Sequence, residues 1–158
     1  MSLKTKKKKG KKKTSRIQPF KFLEKIAIAD AAFEAYGKTL EELFVNCAKA
    51  TFDVMADLET VTPNQAETVK LENKTVEDLL FDWLAELIYL KDYKAMLFKE
   101  FSVKVQKNTN YILEGEARGE NINQSKHNLR TDVKAVTYHL FEVKKAYRLW
   151  KAKVILDI

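Results

Sequence analysis

Two segments carry apolar side chains at helical spacing, and each opens on a threonine with an acidic residue three positions on. In "KTLEELFVNCAKATFDVMADLE", Thr39 and Glu42 spell a capping box, the threonine hydroxyl and the glutamate satisfying amides at the helix start. Leu40, Leu43, Phe44, Cys47, Thr51, Val54, Met55 and Leu58 then follow the helical period. In "KTVEDLLFDWLAELIYLKDYK", Thr75 is the cap and Asp78 takes the third helical position. Leu79, Leu80, Trp83, Leu84, Leu87 and Ile88 form one stripe, which reads as core. A helix with an apolar stripe must bury it against another layer, so the remaining text has to supply that layer.

The remaining text reads as strands. Residues 19–37, "PFKFLEKIAIADAAFEAYG", are extended structure ending in a glycine turn, and "ETVKLE" is a short strand beyond the break at "VTPNQ". From Met96 onward come "MLFKEFSVKVQ", "YILEGEARGE", "TDVKAVTYHLFEVKK" and "YRLWKAKVILDI". The order is strand, helix, strand, helix, then four strands. It predicts an α+β domain, a two-layer sandwich with two amphipathic helices packed on β-sheet. No internal repeat is visible.

The 158 residues, 46% hydrophobic, suit one domain with a substantial core. The formal charge of +7 is unevenly placed. Residues 1–16 hold eight lysines, one arginine and no acid, whereas 17–158 hold twenty basic residues against twenty-two acidic ones. The division is therefore a disordered lysine-rich tail over 1–16 and a folded domain over 17–158. Two readings of the tail stand side by side: salt-sensitive attraction to RNA or another polyanion, and a solubilising arm. The tail has no apolar h-region, and no apolar run approaches membrane-span length, so the expectation is a soluble cytoplasmic protein. A single cysteine, Cys47, excludes an intramolecular disulfide framework, and its place on the apolar face reads as a buried inert thiol.

The usual catalytic signatures are absent. There is no glycine-rich phosphate loop, no G-x-S-x-G and no H-E-x-x-H, and one cysteine with two histidines cannot build a thiolate-rich zinc site. What remains is charge in strands. Asp30 lies in the apolar run "IAIADAAFEA", where a carboxylate needs a cation or hydrogen-bond donors. A strand-edge aspartate accepting backbone N–H bonds is the plainer account. Lys134 lies in "DVKAVTYHLFEV", apolar on both faces, which reads as an inner strand. His139 and Tyr138 follow it, and a half-buried structural histidine is the commoner case. His127, in the polar "NINQSKHNLR", reads as a loop residue whose functional role would be phosphate contact. Asp157 lies one residue before Ile158 at the end of an alternating strand. Asp30 and Asp157 meet only if the first and last strands are neighbours. Their oxygens would then suit Ca²⁺, Mg²⁺ or Mn²⁺ rather than zinc.

Three blocks resemble the archease family, over roughly residues 19–158: "ADAAFEAYGKTLEELF", "DLLFDWLAELIYL", and the text from "GENINQSKHNLRTDVKAVTYHLFEV" to "WKAKVILDI". The third block is the most specific. The resemblance implies an α+β sandwich and an accessory role, without catalysis of its own. The implied partner is the GTP-dependent tRNA-splicing RNA ligase, whose guanylylation and repeated turnover such proteins promote in tRNA splicing and RNA repair. RNA would then be met indirectly, or through the tail. It also implies a divalent cation, calcium first, held by Asp30, Asp157 and Ile158, the last through a main-chain or terminal carboxylate oxygen. It implies a functional lysine at Lys134. This sequence departs from the family's E-H-T-A-D: it reads "EKIAIAD", without the histidine and with two extra residues, and Ala32 replaces the customary glycine. Rival readings are a metal-dependent phosphoesterase, with His139 or His127 as base, and an RNA-binding chaperone acting through the tail.

Overall fold

The computed structural model describes residues 18–24 and 30–158; the lysine-rich 1–16 and the "KIAIA" of 25–29 lie outside them. Both helices begin where the threonines direct. Thr39 Oγ1 accepts the Glu42 N–H at 3.1 Å, and Glu42 Oε2 accepts the Lys38 N–H at 3.0 Å, opening α1 (Leu40–Met55). Thr75 Oγ1 accepts the Asp78 N–H at 3.1 Å, opening α2 (Val76–Lys94). α2 ends on Ala95 in the left-handed region, φ 51°, whose N–H reaches back to the Lys91 carbonyl.

Among the described residues seven strands accompany the helices: β1 (Phe20–Leu23), β2 (Asp30–Gly37), β3 (Gln65–Asn73), β4 (Met96–Lys107), β5 (Tyr111–Asn121), β6 (Ala135–Ala146) and β7 (Leu149–Asp157). They form two antiparallel sheets, one ordered β1-β2-β7-β6 and one ordered β3-β5-β4. The architecture is α+β, as the element order predicts, but the strands divide into two sheets that sandwich the helices rather than forming one layer beneath them. The segment 19–37 is two strands rather than one: β1 folds back on β2 with Phe20 opposite Ala35 and Leu23 opposite Ala32. The helices lie between the sheets. α1 touches β2 and β7 on one side and β4 on the other, while α2 touches β6 and all three strands of the smaller sheet. The Leu79–Ile88 stripe is buried throughout, as are Leu43, Phe44, Cys47, Thr51 and Met55 of α1. Trp83 sits at the centre, its indole N–H donating to the Phe44 carbonyl at 3.1 Å. Burial pushes the Cys47 thiol up, in keeping with an inert core residue.

Among the described residues β6 is an edge strand, not the inner strand its two apolar faces suggested. Thr137 faces Ile155 and Glu142 faces Lys153, so the four residues Tyr138–Phe141 stand where β7 supplies Val154 alone. Leu140 adopts φ 52° inside this bulge. Val136 and Val143 are both buried although their odd spacing would put them on opposite faces of a regular strand. Three extra residues restore the phase, and Val136 and Val143 then stand opposite Leu156 and Ala152 on one face. The apolar character of both faces thus records a bulge, which also blunts the exposed edge.

Candidate functional site

β2 and β7 are the central strands of the larger sheet, and alternation divides their side chains. Phe33, Ala35, Ala152, Val154 and Leu156 point into the core. The opposite face carries Asp30, Ala32, Glu34 and Tyr36 from β2, facing Asp157, Ile155, Lys153 and Lys151 from β7. Asp30 stands directly opposite Asp157 at the end of this ladder, and both are half-buried. Side chains directly opposite across an antiparallel pair leave the same face, with Cβ atoms about 5 Å apart. None of the ion pairs among the described residues engages either carboxylate.

The same place receives the start of β6. The Lys134 N–H donates to the Asp157 carbonyl at 2.8 Å, and Ala135 faces Asp157 from the side opposite Asp30. Ile158 is half-buried and packs against the core. Two side-chain carboxylates and main-chain oxygen are therefore the donors this corner offers; no cluster of three or more His, Cys, Asp or Glu able to hold a metal occurs among the described residues. The donor set is hard and anionic, and it suits a calcium-like cation rather than a thiophilic one.

Lys134 reaches this corner through its backbone. Alternation sends its side chain to the other face from Asp157, where Lys134 lines a groove of about 290 Å³ with Phe81, Ala85, Ile88, Tyr89 and Asp92 of α2. The segment leading to it is pinned by Lys91, which reasoning from sequence missed. Lys91 is buried, and its ammonium donates to the Val133 carbonyl at 2.9 Å and pairs with Asp132 at 2.8 Å and Asp92 at 2.5 Å. The available signal was spacing: Lys91 continues the Leu84, Leu87, Ile88 stripe, where a solvated lysine has no place.

The two histidines part company. His139 is exposed in the bulge, past the Thr137–Ile155 rung, beside Tyr138, whose ring stacks on Phe81 at 3.7 Å. His127 is a loop residue, as read, but its side chain is fully buried. Its Nδ1 accepts the Asn123 N–H at 2.9 Å, so Nε2 carries the proton and donates to Glu120 Oε1 at 2.7 Å. Glu120 also accepts from Lys126 Nζ at 2.6 Å and the Thr62 N–H at 3.0 Å. Those donors, Lys126 first, then His127 and Thr62, pull the Glu120 carboxyl down to about 2. The segment beyond it is stitched to the end of α1: Arg130 and Thr131 N–H donate to the Met55 and Val54 carbonyls.

The description "Archease protein family (MTH1598/TM1083)" matches residues 20–158. The chain belongs to the archease family. Archeases of Methanothermobacter thermautotrophicus and Methanosarcina barkeri are 41% and 39% identical to it. The first alignment covers 90% of this chain and all of the relative, the second 82% and 90%. The solution structure of Methanobacterium thermoautotrophicum protein 1598 superposes with a TM-score of 0.79 at 41% identity, over 89% of this chain and 99% of that one. The crystal structure of a Thermotoga maritima archease, called a possible chaperone, shares the fold at a TM-score of 0.58 and 21% identity, over 82% and 91% of the two chains. The family match thus spans every element of this archease and reaches both aspartates of the β2–β7 rung. Among the described residues no helix is long and apolar enough to cross a membrane.

Proposed function

We propose that this archease is a non-catalytic accessory protein of a GTP-dependent tRNA-splicing RNA ligase, acting in the cytoplasm to promote ligase guanylylation and repeated turnover. Family membership supports the reading, and the Asp30–Asp157 rung, joined to the Lys134 main chain, is the observation that carries it. Asp30, Asp157 and a main-chain oxygen of Ile158 would hold a divalent cation, calcium first and magnesium or manganese otherwise. Its chemistry there is neutralisation of two facing carboxylates, which ties β2 to β7. Lys134 meets Asp157 through its main-chain N–H and turns its side chain to the α2 side, so one corner offers the ligase a cation site on one face and an ammonium on the other. Activation then requires that this corner bind the guanylylation-competent state of the ligase more tightly than its alternative.

The test uses substoichiometric ligase with RNA ends, GTP and divalent metal, with and without this protein. Guanylylation and multiple turnover are expected to rise with the parent protein and to fall away with Asp157→Asn and with Lys134→Ala. Unchanged turnover on adding the parent protein overturns the proposal. Robust phosphoester hydrolysis by the protein alone would place the chemistry in the archease itself and overturn it equally.

A further inference from the structure

The far end of the same sheet carries an unusual charge pattern. Residues 142–153, the β6–β7 hairpin, hold five basic residues and one acid, while the rest of 17–158 holds fifteen basic against twenty-one acidic. Lys144 stands directly opposite Lys151, and Lys153 follows on the same face. Like charges directly opposite destabilise a strand pair. Glu142 pairs with Lys144, and Glu34 with Lys151 at 3.3 Å, but among the described residues Lys145, Arg148 and Lys153 form no ion pair. A groove of about 90 Å³ runs between Glu142, Lys144, Lys151 and Lys153. At the turn, Tyr147 adopts φ 58° and is 89% exposed. The Arg148 guanidinium lies over its ring at 5.4 Å, and Lys145 lies over Trp150 at 5.4 Å.

We propose that the β6–β7 hairpin binds single-stranded nucleic acid, its phosphates along Lys144, Lys151 and Lys153 and one base stacked on Tyr147. A basic track gives affinity for the backbone of any polyanion, but an exposed ring beside it favours a strand whose bases are unstacked. A duplex hides its base faces and uses only the charges. Lys151 lies six residues from Asp157 along β7, roughly 20 Å at strand rise, and Ile155 between them on that face is buried, so the hairpin track stands apart from the aspartate rung. The choice of RNA as the probe rests on the proposed ligase role; the hairpin site does not.

The experiment is fluorescence anisotropy with the full chain and a labelled unstructured RNA of about fifteen nucleotides, the order of one to a few site sizes. A matching duplex, polyglutamate and phosphatidylserine vesicles form the other arms. Tyr147→Ala is expected to weaken single-strand binding by about five- to thirty-fold, to leave duplex binding unchanged, and to be rescued by Tyr147→Phe. Lys144→Gln/Lys151→Gln/Lys153→Gln is expected to lower the slope of log affinity against log salt by about 2. Deleting residues 1–16 removes a salt-sensitive background that ignores Tyr147. Lys144, Tyr147 and Lys151 are exposed and Lys153 is half-buried, and circular dichroism checks that the variants fold. If Tyr147→Ala binds like the parent, or if all affinity leaves with residues 1–16, the proposal fails. Equal dependence on Tyr147 for polyglutamate or vesicles would also overturn it, pointing to an acidic protein or a lipid surface. No ligase is present, so this result and the turnover assay fail independently.

Discussion

Asp30 faces Asp157 across the last rung of the β2–β7 ladder, two carboxylates on one sheet face with no lysine or arginine paired to either among the described residues. Left alone, such a pair repels. Removing one charge should therefore stabilise the fold without metal and destabilise it with metal. In chelator, Asp157→Asn is expected to exceed the parent by about 0.5 kcal/mol, the scale of a like-charge rung. In calcium at a hundred times its dissociation constant, the parent gains about 2.7 kcal/mol and the order reverses. Thermal melts of both proteins, with chelator and with calcium, check this. An equal calcium shift in the two would show that the rung is not the site.

Lys91 anchors the approach to that corner, and its loss should be felt there. Its ammonium holds the Val133 carbonyl and Asp132, two residues before Lys134. Lys91→Met keeps the buried stem but leaves a buried carbonyl without its donor, which costs about 2 kcal/mol. Because Asp92 and Asp132 are largely exposed and recover water, the loss should stay below that of a fully buried ion pair. Urea unfolding measures the stability change, and amide exchange at 131–134 should accelerate more than at Leu84 or Leu87.

The parts of this arrangement that were legible from sequence are the local ones. Thr39 and Thr75 cap their helices through residues three positions away, and Leu79 to Ile88 show their shared face within three turns, so a short window contains the whole signal. Strand pairing has no such window. Residues 19–37 read as one extended segment because the return of β1 on β2 leaves no mark in either strand alone. The division into two sheets depends on β7 choosing β2 and β6, which lie at opposite ends of the chain. Val136 and Val143 did carry a sign of the bulge, being apolar out of phase, but the same pattern describes a strand buried on both faces. The Asp30–Asp157 rung was conditional on the first and last strands meeting. Family resemblance pointed to it, and periodicity could not.

Ala95 closes α2 at φ 51°, a region that penalises any residue with a Cβ. It is exposed, so nothing packs against the methyl. Ala95→Gly relieves the local strain and gives back part of the gain through the greater freedom of glycine in the unfolded chain. The net expectation is a stabilisation of about 0.5–1 kcal/mol, read as a higher midpoint in chemical denaturation with an unchanged slope. A glycine inside α2 should act the other way.

Gly119 is held by contact rather than by backbone angle. A Cβ there would lie 1.7 Å from the Leu97 carbonyl oxygen, at the irregularity where β4 passes from Phe98 to Glu100. Main chain cannot step aside as a flexible side chain does. Gly119→Ala should therefore part β4 from β5 locally and cost about 3 kcal/mol. Denaturation measures the loss, and the neighbouring Glu120 network should loosen with it.

Glu120 supplies the clearest pH dependence. Its carboxyl is held at about 2 by Lys126, His127 and the Thr62 amide, against an ordinary value of 4.5. Between those values the unfolded chain binds a proton that the folded chain does not, so folding stability rises with pH across that window. The contribution is complete above 4.5 and is lost progressively as the pH falls towards 2. Glu120→Gln removes the titration while keeping an acceptor for the Thr62 N–H. Other carboxylates titrate alike in both proteins, so the difference between the two stability profiles isolates this one group. That difference should be largest at neutral pH and shrink through the window. Lys126→Met removes the largest cause of the shift and should narrow the window from its acid side. Parallel profiles for Glu120→Gln and the parent would show that the three donors do not hold the carboxylate in solution.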